Sequence, residues 1–266
     1  MKDKYYMPIS EFSHLTGIKP ENLRYYDQIG LLSPECRGEN GYRYYTQKQL
    51  NTAYLIMSLR DIGIGIEEIK EYIDRRTPEQ MFSLFKLQKT HILKEMKKLR
   101  SILEIMQLYV DMAEDALKHD ENSINIEYKK KEPIFLGPIL STDSLDDSVI
   151  SFYDFAAENG IDLGYPFGTI IYKETFKSGE PILGVQHYFK IKNNHNAYKP
   201  EGKYAVIYGK CAFGESDSLY QKLFTFIDEN KLLICGHAYE EYPLNELSTK
   251  NEQKYCVKIE IMVEDI

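Results

Sequence analysis

The sequence predicts a multi-domain chain: an all-α winged helix-turn-helix domain over residues 1–76, a long coiled-coil dimerisation helix over 77–119, and an α+β domain over 120–266. Three observations lead there. Short apolar stripes broken by Gly and Pro fill the first segment, an unbroken heptad stripe fills the second, and β-type alternation around two amphipathic helices fills the third. In that last segment the order strand, helix, strand, strand occurs twice, which predicts two similar halves within one domain.

The first segment opens with "PISEFSHLTG", where Ser10 is suited to cap a helix, Ile9, Phe12 and Leu15 recur at intervals of three, and Gly17 supplies the stop. A second helix follows at once in "IKPENLRYYDQIG", with Pro20 in its first turn and Gly30 at its end. Two short helices with so brief a break form a helix-turn-helix candidate. "LLSPECRGENGYRYYT" then suits an excursion closed by a short strand pair, a wing. Thr46 and Gln49 fit a capping box for the next helix, Gly63 and Gly65 break it, and "IEEIKEYIDRR" makes another.

The heptad positions are Ile92, Met96, Leu99, Leu103, Met106, Val110, Ala113 and Leu117, with Lys94, Glu95, Lys97, Lys98, Arg100 and Glu104 outside the stripe. At 1.5 Å per residue the stripe implies a helix of about 40 Å. One narrow seam of that length points to a second copy of the chain as partner; packing on the chain's own core is the competing reading, and it would normally show a wider stripe.

Composition narrows the function classes. With 43% hydrophobic and 28% charged residues the chain is an ordinary soluble globular protein, and no apolar run predicts a membrane span or export, so a cytoplasmic protein is expected. Cys36, Cys211, Cys235 and Cys256 are scattered, and the six histidines show no ligand spacing, so neither a metal site nor a disulfide framework is expected, and no cofactor. A net charge of −8 argues against a general polyanion binder. Residues 1–76 carry eleven basic and eleven acidic side chains, so DNA binding there depends on where the bases lie.

Two Arg-Tyr clusters give those bases a pattern. On successive helical residues at most one of Tyr25 and Tyr26 can share the buried stripe of Leu23 and Asp27. Arg24, Tyr25, Tyr26, Tyr42, Arg43 and Tyr45 are the residue types that grip phosphate oxygens beside a duplex. Each tyrosine taken singly reads equally as a half-buried core ring with a wet hydroxyl.

Residues 5–76, through "LRYYDQIGLL", "GYRYYT" and "LRDIGIGIEEIK", resemble the DNA-binding domain of the MerR family of bacterial transcription regulators. The resemblance implies a homodimer joined by an antiparallel coiled coil, bound to an inverted repeat of promoter DNA, that distorts an over-long spacer so that RNA polymerase can use both promoter elements. It places Arg24 and Tyr25 on the recognition helix with Tyr26 near the backbone, Tyr42 and Arg43 on phosphates from the wing, and Arg60 on a flanking phosphate. Lys19 stands where the family often has Ser or Thr; it removes a cap worth about 1 kcal/mol and offers a phosphate contact. The metal-sensing branch uses cysteines beside the dimerisation helix, and none lies between Cys36 and Cys211.

Residues 120–266 resemble the GyrI-like effector-binding domain of the multidrug-sensing branch. That resemblance implies an aromatic cavity for an organic cation or amphipathic molecule, with Glu240 as the acidic anchor and Phe167, Tyr204, Tyr208 and Tyr255 as its lining. Strand alternation puts Ala238, Glu240 and Tyr242 on one face and His237, Tyr239 and Glu241 on the other, so only one of the two glutamates faces inward. Taken without the resemblance, Glu240 reads as a solvent-facing glutamate. Phe167, Ser148 and Ser216 replace further pocket tyrosines and Gln253 a second acid, which predicts a less polar pocket. Two alternatives stay open for this half: a small-molecule hydrolase using Glu240 and Tyr255, though no nucleophile triad, metal cluster or phosphate loop is present in the sequence, and a protein-binding module.

Overall fold

The computed structural model describes residues 5–139, 145–177 and 185–266. They form two compact units, Met1–Met96 and Lys97–Ile266.

In the first unit the chain runs through β1 (Tyr6–Pro8), α1 (Ile9–Thr16), α2 (Pro20–Gln28), β2 (Cys36–Arg37), β3 (Arg43–Thr46), α3 (Gln47–Asp61), α4 (Ile66–Arg75) and the start of α5 (Pro78–Ala116). Gly17 ends α1 at φ 72°, a left-handed conformation that side chains resist, and its N–H closes on the Ser13 carbonyl. That one residue turns the chain into α2, whose first position is Pro20. The cap of α1 is Pro8 and not Ser10, because the helix already starts at Ile9, directly out of β1. Gln49 reaches back to the Thr46 N–H at 2.9 Å, completing the capping box at α3.

A three-stranded antiparallel sheet, ordered β1-β3-β2, carries the wing. Beneath it Phe12, Leu23, Ala53, Ile56 and Ile69 are fully buried, each contributing roughly 1.5–3 kcal/mol by leaving water, Ala53 less.

The second unit holds β4 (Ile124–Lys129), β5 (Glu132–Leu136), α6 (Leu145–Glu158), β6 (Phe167–Ile171), β7 (Val185–Lys190), β8 (Ala197–Lys199), β9 (Gly202–Lys210), α7 (Asp217–Glu229), β10 (Leu232–Leu244) and β11 (Cys256–Asp265). One antiparallel sheet takes them in the order β4-β9-β11-β10-β6-β7-β5-β8. The doubled unit is visible in that order. β5, α6, β6, β7 and β9, α7, β10, β11 form equivalent halves that meet where β6 pairs with β10, with Thr169 opposite Glu240. β4 and β8 extend the outer strand of each half.

Alternation along the strands divides the sheet into two faces. Helices α6 and α7 cover the face that carries Phe189, Ala205, Ile207, Ala238, Ile259 and Ile261. The opposite face carries Tyr188, Tyr204, Tyr208 and Tyr239.

Helix α5 is 39 residues long, about 58 Å, and is shared by the two units. Within the second unit Leu108 joins the α6 cluster and Ala116 the tyrosine cluster. The heptad residues Ile92, Met96, Leu99, Leu103, Met106, Val110 and Leu117 lie on a separate stripe and are exposed, Ile92 by 43% and Leu103 by 65%. The helix therefore presents one stripe to its own domain and keeps a second one open.

Candidate DNA-reading face and guest cavity

Helix α2 sorts its two tyrosines by register. Leu23, Tyr26 and Asp27 face inward, while Arg24 and Tyr25 point to solvent. Tyr26 is 8% exposed and packs in the core, whereas Tyr25 is 43% exposed beside the Arg24 cation. Lys19, at the cap of α2, is exposed and gives no side-chain cap. One of the sequence-derived contacts thus needs correction, and a second is mostly packed inward. Tyr26 packs its ring in the core, and Tyr45 is completely buried, stacked on Phe12 with ring centroids 4.3 Å apart, so the Tyr45 hydroxyl does not reach a phosphate.

Arg43 has a task that residue type alone did not reveal. Its Nε donates to Asp27 Oδ2 at 2.7 Å, and Arg37 Nη2 donates to the same oxygen at 2.7 Å. The Asp27 carboxylate is almost fully buried, and both arginines belong to the wing strands, so one carboxylate on the recognition helix fixes the wing against it. Charge-assisted bonds of this kind set orientation as well as energy. Tyr42 stays exposed at the wing, its ring edge-on to Tyr44. Arg60 is exposed and oriented by a bond from Nη1 to the Ile64 carbonyl at 3.1 Å.

In the second unit the five expected guest contacts do not converge. Glu240, Phe167 and Tyr255 lie on the helix-covered side, and Tyr204 and Tyr208 lie on the other. Glu240 is buried and accepts from Ser216 Oγ at 2.8 Å and Tyr242 Oη at 2.9 Å. Burial pushes its pKa up and those bonds pull it back. Because Ser216 directly precedes α7, Glu240 anchors that helix to β10. Beside it Ser148 Oγ meets His187 Nε2 at 2.7 Å and Thr169 Oγ1 meets Nδ1 at 3.1 Å, a chain sealed between α6 and the sheet. Burial brings His187 down to about 4.

The glutamate that faces the tyrosines is Glu241. It accepts from Tyr188 Oη at 2.8 Å and pairs with Lys190 at 3.2 Å. Burial alone would raise its pKa; the ammonium groups of Lys190, Lys199 and Lys258 overcome that and hold it well below the usual carboxylate range. Lys190 is pulled down by burial but ends above its ordinary value through Glu241 and Glu132. Across the sheet Asp115, from the last turn of α5, accepts from Tyr208 Oη at 2.7 Å and sits 3.5 Å from Lys258. Between that turn and the sheet lies a cavity of about 320 Å³ lined by Asp111, Met112, Glu114, Asp115, Lys118, Lys190, Glu241, Pro243 and Lys258. This cavity is walled by paired charges and holds none of the five side chains expected from sequence to line a guest pocket.

Residues 7–76 match the model of the MerR HTH family regulatory proteins. Over 99% of this chain and 98% of the relative, the sequence is 32% identical to the multidrug-efflux transporter 2 regulator of Bacillus subtilis strain 168. The chain belongs to the MerR family. It is also 24% identical to the multidrug-efflux transporter 1 regulator of the same organism, with 99% of both chains covered. A cryo-EM structure of an EcmrR–DNA complex aligns with 98% of this MerR-family chain and 100% of its own, at 18% identity and a TM-score of 0.45.

For this MerR-family regulator the helix-turn-helix, the long helix and the doubled α+β domain are as the sequence predicts. Sequence reasoning missed Asp27, Arg37, Tyr188, Lys190, Lys199, Lys258 and Asp115. For Glu241 the signal was available, since alternation already made it the alternative to Glu240. No helix among the described residues is long and apolar enough to cross a membrane, and they hold no group of metal-ligating side chains.

Proposed function

We propose that this protein is a ligand-responsive MerR-type transcription regulator that binds an inverted repeat of promoter DNA as a homodimer. A small amphipathic organic molecule in the Glu241 cavity would make it distort the promoter spacer and so activate transcription by RNA polymerase. The observation that carries the DNA reading is the Asp27 fork: it holds the wing, with Tyr42, against the helix that displays Arg24 and Tyr25. A rigid pair of phosphate-gripping elements on a two-fold dimer requires a two-fold site. Among the named relatives the efflux-transporter regulators support the small-molecule reading.

The test is a titration of a promoter duplex carrying the inverted repeat. Arg24→Ala is expected to lower affinity by about tenfold or more, and the parent's affinity to fall steeply with salt. Unchanged binding by Arg24→Ala would remove the assignment. For the cavity, Glu241→Gln is expected to weaken guest binding by about tenfold in calorimetry, because the Lys190 ammonium in the cavity wall loses one of its two carboxylates.

A further inference from the structure

Behind the cavity the space between two tyrosine rings is already occupied. The Lys199 ammonium lies 4.7 Å from the centroid of Tyr239 and 5.3 Å from that of Tyr204, and it forms an ion pair with Glu260. Its side chain is 2% exposed and that of Glu260 1%. A cation held over aromatic faces against a buried carboxylate is the arrangement that recognises an organic ammonium; here the chain itself supplies the ammonium.

The other acids on this face are taken in the same way. Lys190 serves both Glu132 at 2.8 Å and Glu241 at 3.2 Å. Lys129 lies 2.5 Å from Glu127, and Lys258 stands 2.9 Å from Glu260, an ion-pair contact off the line of a hydrogen bond. Four lysines thus face four glutamates and Asp115, which accepts from Tyr208 and sits 3.5 Å from Lys258, and a second cation entering among them would meet ammonium groups with no carboxylate left to itself.

We infer that Lys199 is a tethered cation that fills the tyrosine cage, so that the guest of this cavity inserts an end carrying no positive charge. Positive charge on the guest's trailing end is still accommodated, because Asp111 and Glu114 are exposed at the α5 rim of the cavity. The inference rests on the proposal that this cavity is the guest site, and it makes Lys199 a specificity-determining residue. Since burial brings Lys199 down to about 7, in the company of Glu241, Lys190, Lys258 and Glu132, discrimination against a cation should be stronger at about pH 6 than at about pH 8.

The experiment compares tetraethylammonium, a cation with no uncharged end, with its carbon isostere, 3,3-diethylpentane, by calorimetry on the full-length protein at about pH 6. The parent is expected to bind the isostere at least as tightly as the cation. Lys199→Ala, which opens the cage and leaves Glu260 Oε2 without its ammonium, should shift that ratio toward the cation by about tenfold or more, while Lys199→Arg keeps the parent's order. A parent that prefers the cation, or a ratio unmoved in Lys199→Ala, would overturn the inference and leave the cavity assignment standing. Failure of both compounds to bind any variant would overturn the cavity assignment and the inference with it. Should Lys199→Ala fail to fold, the parent's preference decides alone.

Discussion

Asp27 shows how a single side chain can govern a surface it does not touch. Its carboxylate oxygen takes two arginines ten and sixteen residues further along, both in the wing. Asp27→Asn should therefore weaken operator binding although Asp27 itself is buried, and should cost about 1–3 kcal/mol in urea denaturation. Tyr45 gives the opposite expectation. Its hydroxyl is buried without a hydrogen-bond partner, and burial lifts its pKa to about 12. Tyr45→Phe should leave operator affinity as it is and raise stability by about 1 kcal/mol; a clear loss of binding would return Tyr45 to the DNA contacts.

His187 sets a pH dependence. Its folded pKa of about 4 lies below the ordinary 6.5, so the folded state holds the neutral ring. The stability this represents is complete above pH 6.5 and is lost as pH falls toward 4, by up to roughly 3 kcal/mol. A His187→Gln variant should show a shallower loss over that window. Glu241 and Asp115, whose folded pKa values are depressed, add losses of the same sign at lower pH.

Among the elements, α5 and β10 carry most of the functional argument. The open stripe on α5 predicts self-association, and Leu103→Glu, a charge in the middle of the seam, should shift the sedimentation equilibrium toward monomer by at least tenfold in dissociation constant. On β10 the adjacent glutamates divide the labour. Glu240→Gln should lower the melting temperature without altering guest affinity, since Glu240 holds α7 and lies outside the lining of the Glu241 cavity.

These elements also mark what the sequence could reveal. Helix stops, the capping box and the heptad are local signals, spaced within a few residues, so Gly17, Thr46 with Gln49, and Ile92 to Leu117 were legible. Strand alternation separated Glu240 from Glu241 but could not say which face the helices would cover, because that depends on where α6 and α7 pack. The same limit mixed Phe167 and Tyr255 with Tyr204 and Tyr208. Tyr26 and Tyr45 were grouped by residue type, while burial decided their place. The lysine–glutamate pairs join strands distant in sequence, and the strand pattern carries no trace of which partners meet.

At the scale of the whole molecule, a regulator must join recognition of DNA to recognition of a guest, and α5 is the element shared by both units. Its last two turns supply Asp111, Glu114 and Asp115 to the cavity wall, so a guest that contacts them acts on the helix that bears the seam. The most direct measurement is selection of duplexes from a random pool by the full-length protein, followed by titration of the recovered sequences with the parent and with Arg24→Ala. The account predicts enrichment of inverted repeats that the parent binds as a dimer and that Arg24→Ala binds at least about tenfold more weakly. Enrichment of no sequence, or of sites without two-fold symmetry that both proteins bind equally, would contradict it.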